Sequence, residues 1–196
     1  MQAKTLEGGF AVPPLDAARA FRAVMEAMAR PGTLQDIVGA TPPAPLSPAA
    51  GTVLLTLCDS DTPVHLAGDM DTPDLRAWIA FHTGAPFAEA GHCMFAVGGW
   101  QDLMPLSIYP VGTSDYPDRS ATLIVDLDDL TTTGAALIGP GIRKTALLSL
   151  PEVDAFEANH ALFPLGLDFI LTCRGQVAAL PRSTRIDRAQ TTSEGR

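Results

Sequence analysis

The chain has 196 residues, 46% of them apolar and 18% charged, with 22 Asp and Glu against 13 Lys and Arg and a formal charge of −9. This suits a single domain with a real hydrophobic core and excludes disorder for the body of the chain. The acidic balance, with only Lys4 and Lys144 as lysines, argues against nucleic acid and anionic membrane as partners, because neutralising phosphates takes clustered basic side chains. Seventeen Gly and seventeen Pro predict short elements and sharp turns, not a coiled coil or a helical array.

The first ten residues, MQAKTLEGGF, lack the basic flank and apolar stretch of a signal peptide, and no run of about eighteen apolar residues occurs, so a cytoplasmic location is expected. Cys58, Cys93 and Cys173 form an odd set without a CxxC pair, which argues against a disulfide framework or a thiolate zinc site and for buried thiols.

In chain order, residues 1–14 read as an extended N-terminal arm ending in Pro13-Pro14. Phe21, Val24, Met25 and Met28 then recur at helical spacing and predict a helix over 16–29, stopped by Arg30-Pro31-Gly32. Three prolines make 39–46 a stiff loop. Ser47-Pro48 is an N-cap followed by a first-turn proline, and Ala50, Leu54, Leu57 and Cys58 continue a buried helix. Thr72-Pro73 repeats that start for a helix over Leu75, Trp78, Ile79 and His82 that Gly84 can close, with a short strand at Val64 to Leu66 between the two.

From residue 93 the pattern changes to short apolar runs at 93–97, 121–127, 146–150, 169–173 and 177–180, all read as strands. Continuous apolar runs indicate strands buried on both faces. The predicted fold is therefore α/β, a three-layer sandwich with a mixed sheet between helices, occupying residues 15–186 as one domain. Ser149-Pro151 opens a further helix at about 152–161, and residues 187–196 read as a flexible C-terminal tail.

Chemistry motifs are sparse. Neither GxSxG nor GxGxxG occurs, which excludes the serine-hydrolase elbow and the dinucleotide fingerprint. Gly139-Pro140-Gly141-Ile142-Arg143-Lys144-Thr145 resembles a phosphate loop, but Arg143 stands where a second glycine should precede the lysine. It is either a tight turn or an anion-binding turn in which Gly139 and Gly141 free backbone N–H groups while Arg143 and Lys144 supply charge. Arg182 and Arg185, three residues apart, form a second candidate anion or partner site, with intrachain ion pairing as the alternative.

His82 and Thr83, before Gly84, either cap a helix or face a cleft. His65, His82, His92 and His160 are too scattered for paired metal-ligand spacing, so no metal is predicted. The carboxylates Asp59/Asp61, Asp69/Asp71 and Asp126/Asp128/Asp129 fit turn and cap roles, with acid–base or magnesium chemistry as the alternative. A pyridoxal enzyme would need Lys4 or Lys144 as its Schiff-base lysine. Lys4 lies in the arm, and Lys144 has no evident carboxylate partner for a pyridinium nitrogen.

Six strings, in order across about residues 10–186, together resemble the PhnH family, a subunit of the bacterial carbon–phosphorus lyase system. They are Phe21 with Val24 to Gly32, Leu54 to Val64, Phe81 to Pro86, Gly139 to Ile142, Phe163 to Asp168, and Leu180 to Arg185. The resemblance implies a subunit of the complex that joins an alkylphosphonate to the ribose carbon of a nucleoside triphosphate with displacement of the base. The product would be ribose 1-methylphosphonate 5-triphosphate when the substrates are ATP and methylphosphonate.

The resemblance also implies a fold similar to pyridoxal-dependent transferases without the cofactor, homodimers when isolated, and sister subunits as partners. It carries no catalytic residue set, and activity is expected only inside the transferase complex, where nucleoside triphosphate and alkylphosphonate would be the ligands. A free-standing enzyme of pyridoxal-transferase descent and a pure assembly module are the alternative functions.

Overall fold

The computed structural model describes residues 6–191. The ends of the expected arm and tail, residues 1–5 and 192–196, lie outside the described residues. Helix α1, Pro13–Ala29, starts three residues earlier than the apolar spacing indicates. Proline is favoured in a first turn, where its missing N–H would have no partner. Helix α2, Pro48–Leu57, and helix α3, Pro73–Thr83, begin where their caps predict: the Ser47 hydroxyl accepts from Ala50 N at 3.1 Å and Thr72 Oγ1 from Leu75 N at 3.2 Å. Gly84 closes α3 in the left-handed conformation at φ 72°.

The strands are β1 (Gln35–Asp36), β2 (Val64–Leu66), β3 (Phe95–Gly98), β4 (Thr122–Asp126), β5 (Ala135–Ile138), β6 (Ala146–Leu148), β7 (Asp168–Cys173), β8 (Gln176–Leu180) and β9 (Arg185–Ile186). Six of them form a mixed sheet in the order β1-β8-β7-β4-β3-β2, in which β2, β3, β4 and β7 are parallel, β8 pairs antiparallel with β7, and β1 pairs antiparallel with β8 at the edge. The remaining three make a second, antiparallel sheet in the order β6-β5-β9.

Alternate residues of the central strands feed two separate cores, as the two-residue period of a strand requires. Val97, Ile124 and Ile170 pack with Ala20, Val24, Leu54, Leu75 and Trp78 under α1, α2 and α3. Leu123, Val125, Phe169 and Leu171 point the other way, towards Trp100, Leu137, Leu148 and Phe156. Removing a fully buried side chain such as Ile124 from water is worth about 2 kcal/mol, so both faces stabilise the sheet.

The expected α/β class and mixed sheet are therefore present, but the second face is not a plain helical layer. It is covered by the small sheet together with helix α4, Val153–His160. Helix α4 lies where the sequence after Ser149-Pro151 predicts one, at about 152–161. Glu152 is the N-cap, and Ser149 Oγ instead accepts from Thr131 N at 2.9 Å, joining the strand ends. After β9, Arg188–Thr191 forms one turn of helix, α5, where the sequence predicted tail. Arg188 holds it against Asp154 and Glu157 of α4.

Candidate functional site

Helix α1 ends at Ala29 because Pro31 cannot continue it and Gly32, at φ 86°, turns the chain back. That reversal lies against the Gly139–Lys144 turn. A Cβ on Gly141, itself at φ 80°, would come 1.9 Å from the Ala29 carbonyl oxygen, and one on Gly32 would come 2.5 Å from Ala146 Cβ. The two proline-glycine motifs, more than a hundred residues apart, thus interlock and leave an open groove of about 500 Å³.

Arg30, Arg143 and Lys144 line the groove with Thr33, Thr145 and the Gly141 backbone, and no carboxylate is among the lining residues. Arg143 and Lys144 are exposed and form no ion pair among the described residues, whereas Arg30 meets Glu26 at 2.7 Å one turn back on α1.

Arg182 is not free to bind a ligand. Its Nη2 pairs with Asp168 Oδ2 at 2.5 Å and bonds Ser120 Oγ, its Nη1 donates to Pro117 O at 2.6 Å, and its Nε reaches both Asp168 oxygens at 3.2 Å. Both side chains are largely buried, at 15% and 18% exposure, and all three guanidinium nitrogens donate within the chain. Arg185 is exposed on β9, opposite Ile138, and Gly139 lies against the neighbouring Ser183 and Thr184 backbone. The fold therefore brings the two basic strings to one side of the molecule while using one of their arginines as a brace.

His82 and Thr83 lie elsewhere, at the end of α3. His82 Nε2 meets the Leu6 carbonyl at 2.9 Å, and its ring sits 5.0 Å from that of Trp78, whose indole N–H donates to Glu7 O at 2.9 Å. Thr83 Oγ1 donates to Ile79 O at 2.7 Å and accepts from Ala85 N at 3.0 Å. Both residues fasten the helix end and the segment before α1. Cys58 and Cys93 are buried, and burial pushes their thiols up to about 12 and about 11.

A second cavity, of about 700 Å³, gathers Asp69, Asp126 and Asp128 from two of the carboxylate groups noted in the sequence. It opens at the carboxyl ends of the parallel strands, where α/β sheets bind ligands. Asp69, Asp102, Asp126 and Asp128 line it, with Arg174 as the one cation among the lining residues. Asp126 ends β4 and accepts from Ser47 N at 2.8 Å and from Thr172 Oγ1 at 3.0 Å; burial raises its pKa above the ordinary carboxylate value against those hydrogen bonds. The signal in the sequence was the position of Asp126 at the end of an apolar run. Asp59, by contrast, is the turn residue expected, accepting from Asp61 N at 2.9 Å and Thr62 Oγ1 at 2.7 Å. Among the described residues no group of three His, Cys, Asp or Glu is placed to hold a metal ion.

A mixed α/β sheet with a basic groove on one side and an acidic cavity at its strand ends defines the class of domain. Comparison with known proteins defines its family: residues 8–187 match the family described as bacterial phosphonate metabolism protein (PhnH), and the chain belongs to that family. It is 41% identical to the alpha-D-ribose 1-methylphosphonate 5-triphosphate synthase subunit PhnH of Rhizobium meliloti (strain 1021), over 95% of this chain and 98% of the relative. It is 29% identical to the putative C-P lyase subunit protein HtxG of Stutzerimonas stutzeri, over 92% and 96%.

Proposed function

We infer that this chain is a subunit of a carbon–phosphorus lyase complex and serves in the synthesis of ribose 1-methylphosphonate 5-triphosphate from ATP and methylphosphonate. The observation that carries this reading is the 41% identity to a subunit of that synthase across almost the full length of both chains. The interlocked turns add support, since two of the strings that resemble the family form one structural unit here.

The partners in this reading are the sister subunits of the complex and, for the isolated chain, a second copy. Phe21 and Met25, one turn apart on α1, are both exposed, and such a pair of large apolar side chains supports contact with another protein, because it gains by being covered. No helix among the described residues is long and apolar enough to cross a membrane. The proposed setting is the cytoplasm, where the nucleotide substrate is made.

A fold derived from pyridoxal-dependent transferases remains part of the proposal. Lys144 stands exposed beside Arg143 at a groove without a carboxylate lining, a poor setting for a Schiff-base lysine that must be desolvated and oriented. Co-expression of a tagged chain with the other synthase subunits tests the reading. The chain is expected to co-elute with them at a fixed ratio, and an assembled complex from which it is absent would overturn the proposal.

A further inference from the structure

We propose that the groove between the end of α1 and the Gly139–Lys144 turn is a binding site for a chain of phosphoryl groups, held by Arg30, Arg143 and Lys144. In a chain with 22 acidic and 13 basic residues, three cations converge on a groove that no carboxylate lines. Such a concentration of like charge costs self-repulsion unless an anion relieves it, and the net charge of −9 disfavours anions over most of the molecule.

The internal alternatives are limited. Arg143 and Lys144 have no ion-pair partner among the described residues, and Arg30 meets only Glu26, across an exposed pair of the kind that contributes little. By contrast, Arg76, Arg182 and Arg188 are each engaged by carboxylates of their own chain.

Shape narrows the ligand class. A volume of about 500 Å³ exceeds what one phosphate needs, and the groove is open, so a linear oxyanion with adjacent phosphoryl groups fits the spread of three cations better than a single small ion. The rigid floor is set by Gly141 and Ala29, whose contact leaves no room for a side chain, and this fixes the turn that presents Arg143 and Lys144. Arg30 enters the site only through the fold, since it lies far from the other two in sequence. The site stands on this geometry alone, whether or not the chain assembles with other subunits.

Calorimetric titration of the full chain with inorganic tripolyphosphate at low ionic strength tests the proposal, with orthophosphate and citrate as separate arms. Saturable binding is expected for tripolyphosphate, tighter than for orthophosphate or citrate. The double variant Arg143→Ala/Lys144→Ala should weaken it by about tenfold or more, because two charge-assisted contacts are lost. Arg143→Lys/Lys144→Arg should retain most of the affinity, and Arg22→Ala, an exposed arginine of α1 outside the groove, should leave it unchanged. The proposal is overturned by absence of saturable tripolyphosphate binding, by equal binding in the double alanine variant, by an equal loss in Arg22→Ala, or by citrate binding as tightly as tripolyphosphate.

Discussion

Gly141 sits so close to Ala29 that a Cβ built on it would fall 1.9 Å from the Ala29 carbonyl oxygen. The contact joins the end of the first helix to a turn near the far end of the chain. Gly141→Ala should therefore destabilise the protein by roughly 3 kcal/mol, from backbone collision added to the unfavourable positive φ. Gly134→Ala is the comparison: its φ is 94°, but the nearest atom to its Cβ is 3.5 Å away, so only the conformational cost of about 1 kcal/mol remains. Urea unfolding of both variants checks this, and equal losses would contradict the packing argument.

Arg182→Ala should cost about 3 kcal/mol, because it strands the largely buried Asp168 carboxylate together with Pro117 O and Ser120 Oγ. Asp168→Ala should be similarly harmful, and the double variant should lose much less than the sum. Denaturation of all four proteins gives the coupling energy directly; additive losses would show that the pair does not act as a unit.

Asp126 gives a pH signature. Burial holds its folded pKa above the unfolded value, so between the two values the native state retains a proton that the unfolded state has released. Stability contributed at this position should fall as pH rises through that window and stay reduced above it. Unfolding free energies of wild type and Asp126→Asn across pH 4 to 8 should diverge in that sense, and a difference constant with pH would contradict it.

The thiols offer a simple count. With Cys58 at about 12, Cys93 at about 11 and Cys173 raised mainly by burial, native protein at pH 8 should react negligibly with Ellman's reagent. All three should react once the chain is unfolded in urea. Fast labelling of the native state would show that the buried layers open readily.

Local signals carried much of the fold into view. Ser47-Pro48 and Thr72-Pro73 announce α2 and α3 because capping is decided within four residues. The two-residue strands β1 and β9 carry no such signal, as each exists only through a distant partner, Val177 for Gln35 and Leu137 for Ile186. β5 was missed because its four residues, following three threonines and Gly134, are too short for a period to show.

The site was half legible. Glycines and charges mark the Gly139–Lys144 turn, yet Arg30 joins it only when α1 is docked. The fate of Arg182 could have been read from the β7–β8 hairpin. Phe169 pairs with Leu180, so the register puts Asp168 opposite Pro181, beside Arg182, at the open end.

The most direct test of the central claim is adenine release from ATP and methylphosphonate by the reconstituted complex, with and without this chain. Release that depends on adding the chain is the predicted result. Undiminished release from a complex assembled without it would contradict its assignment as a working subunit.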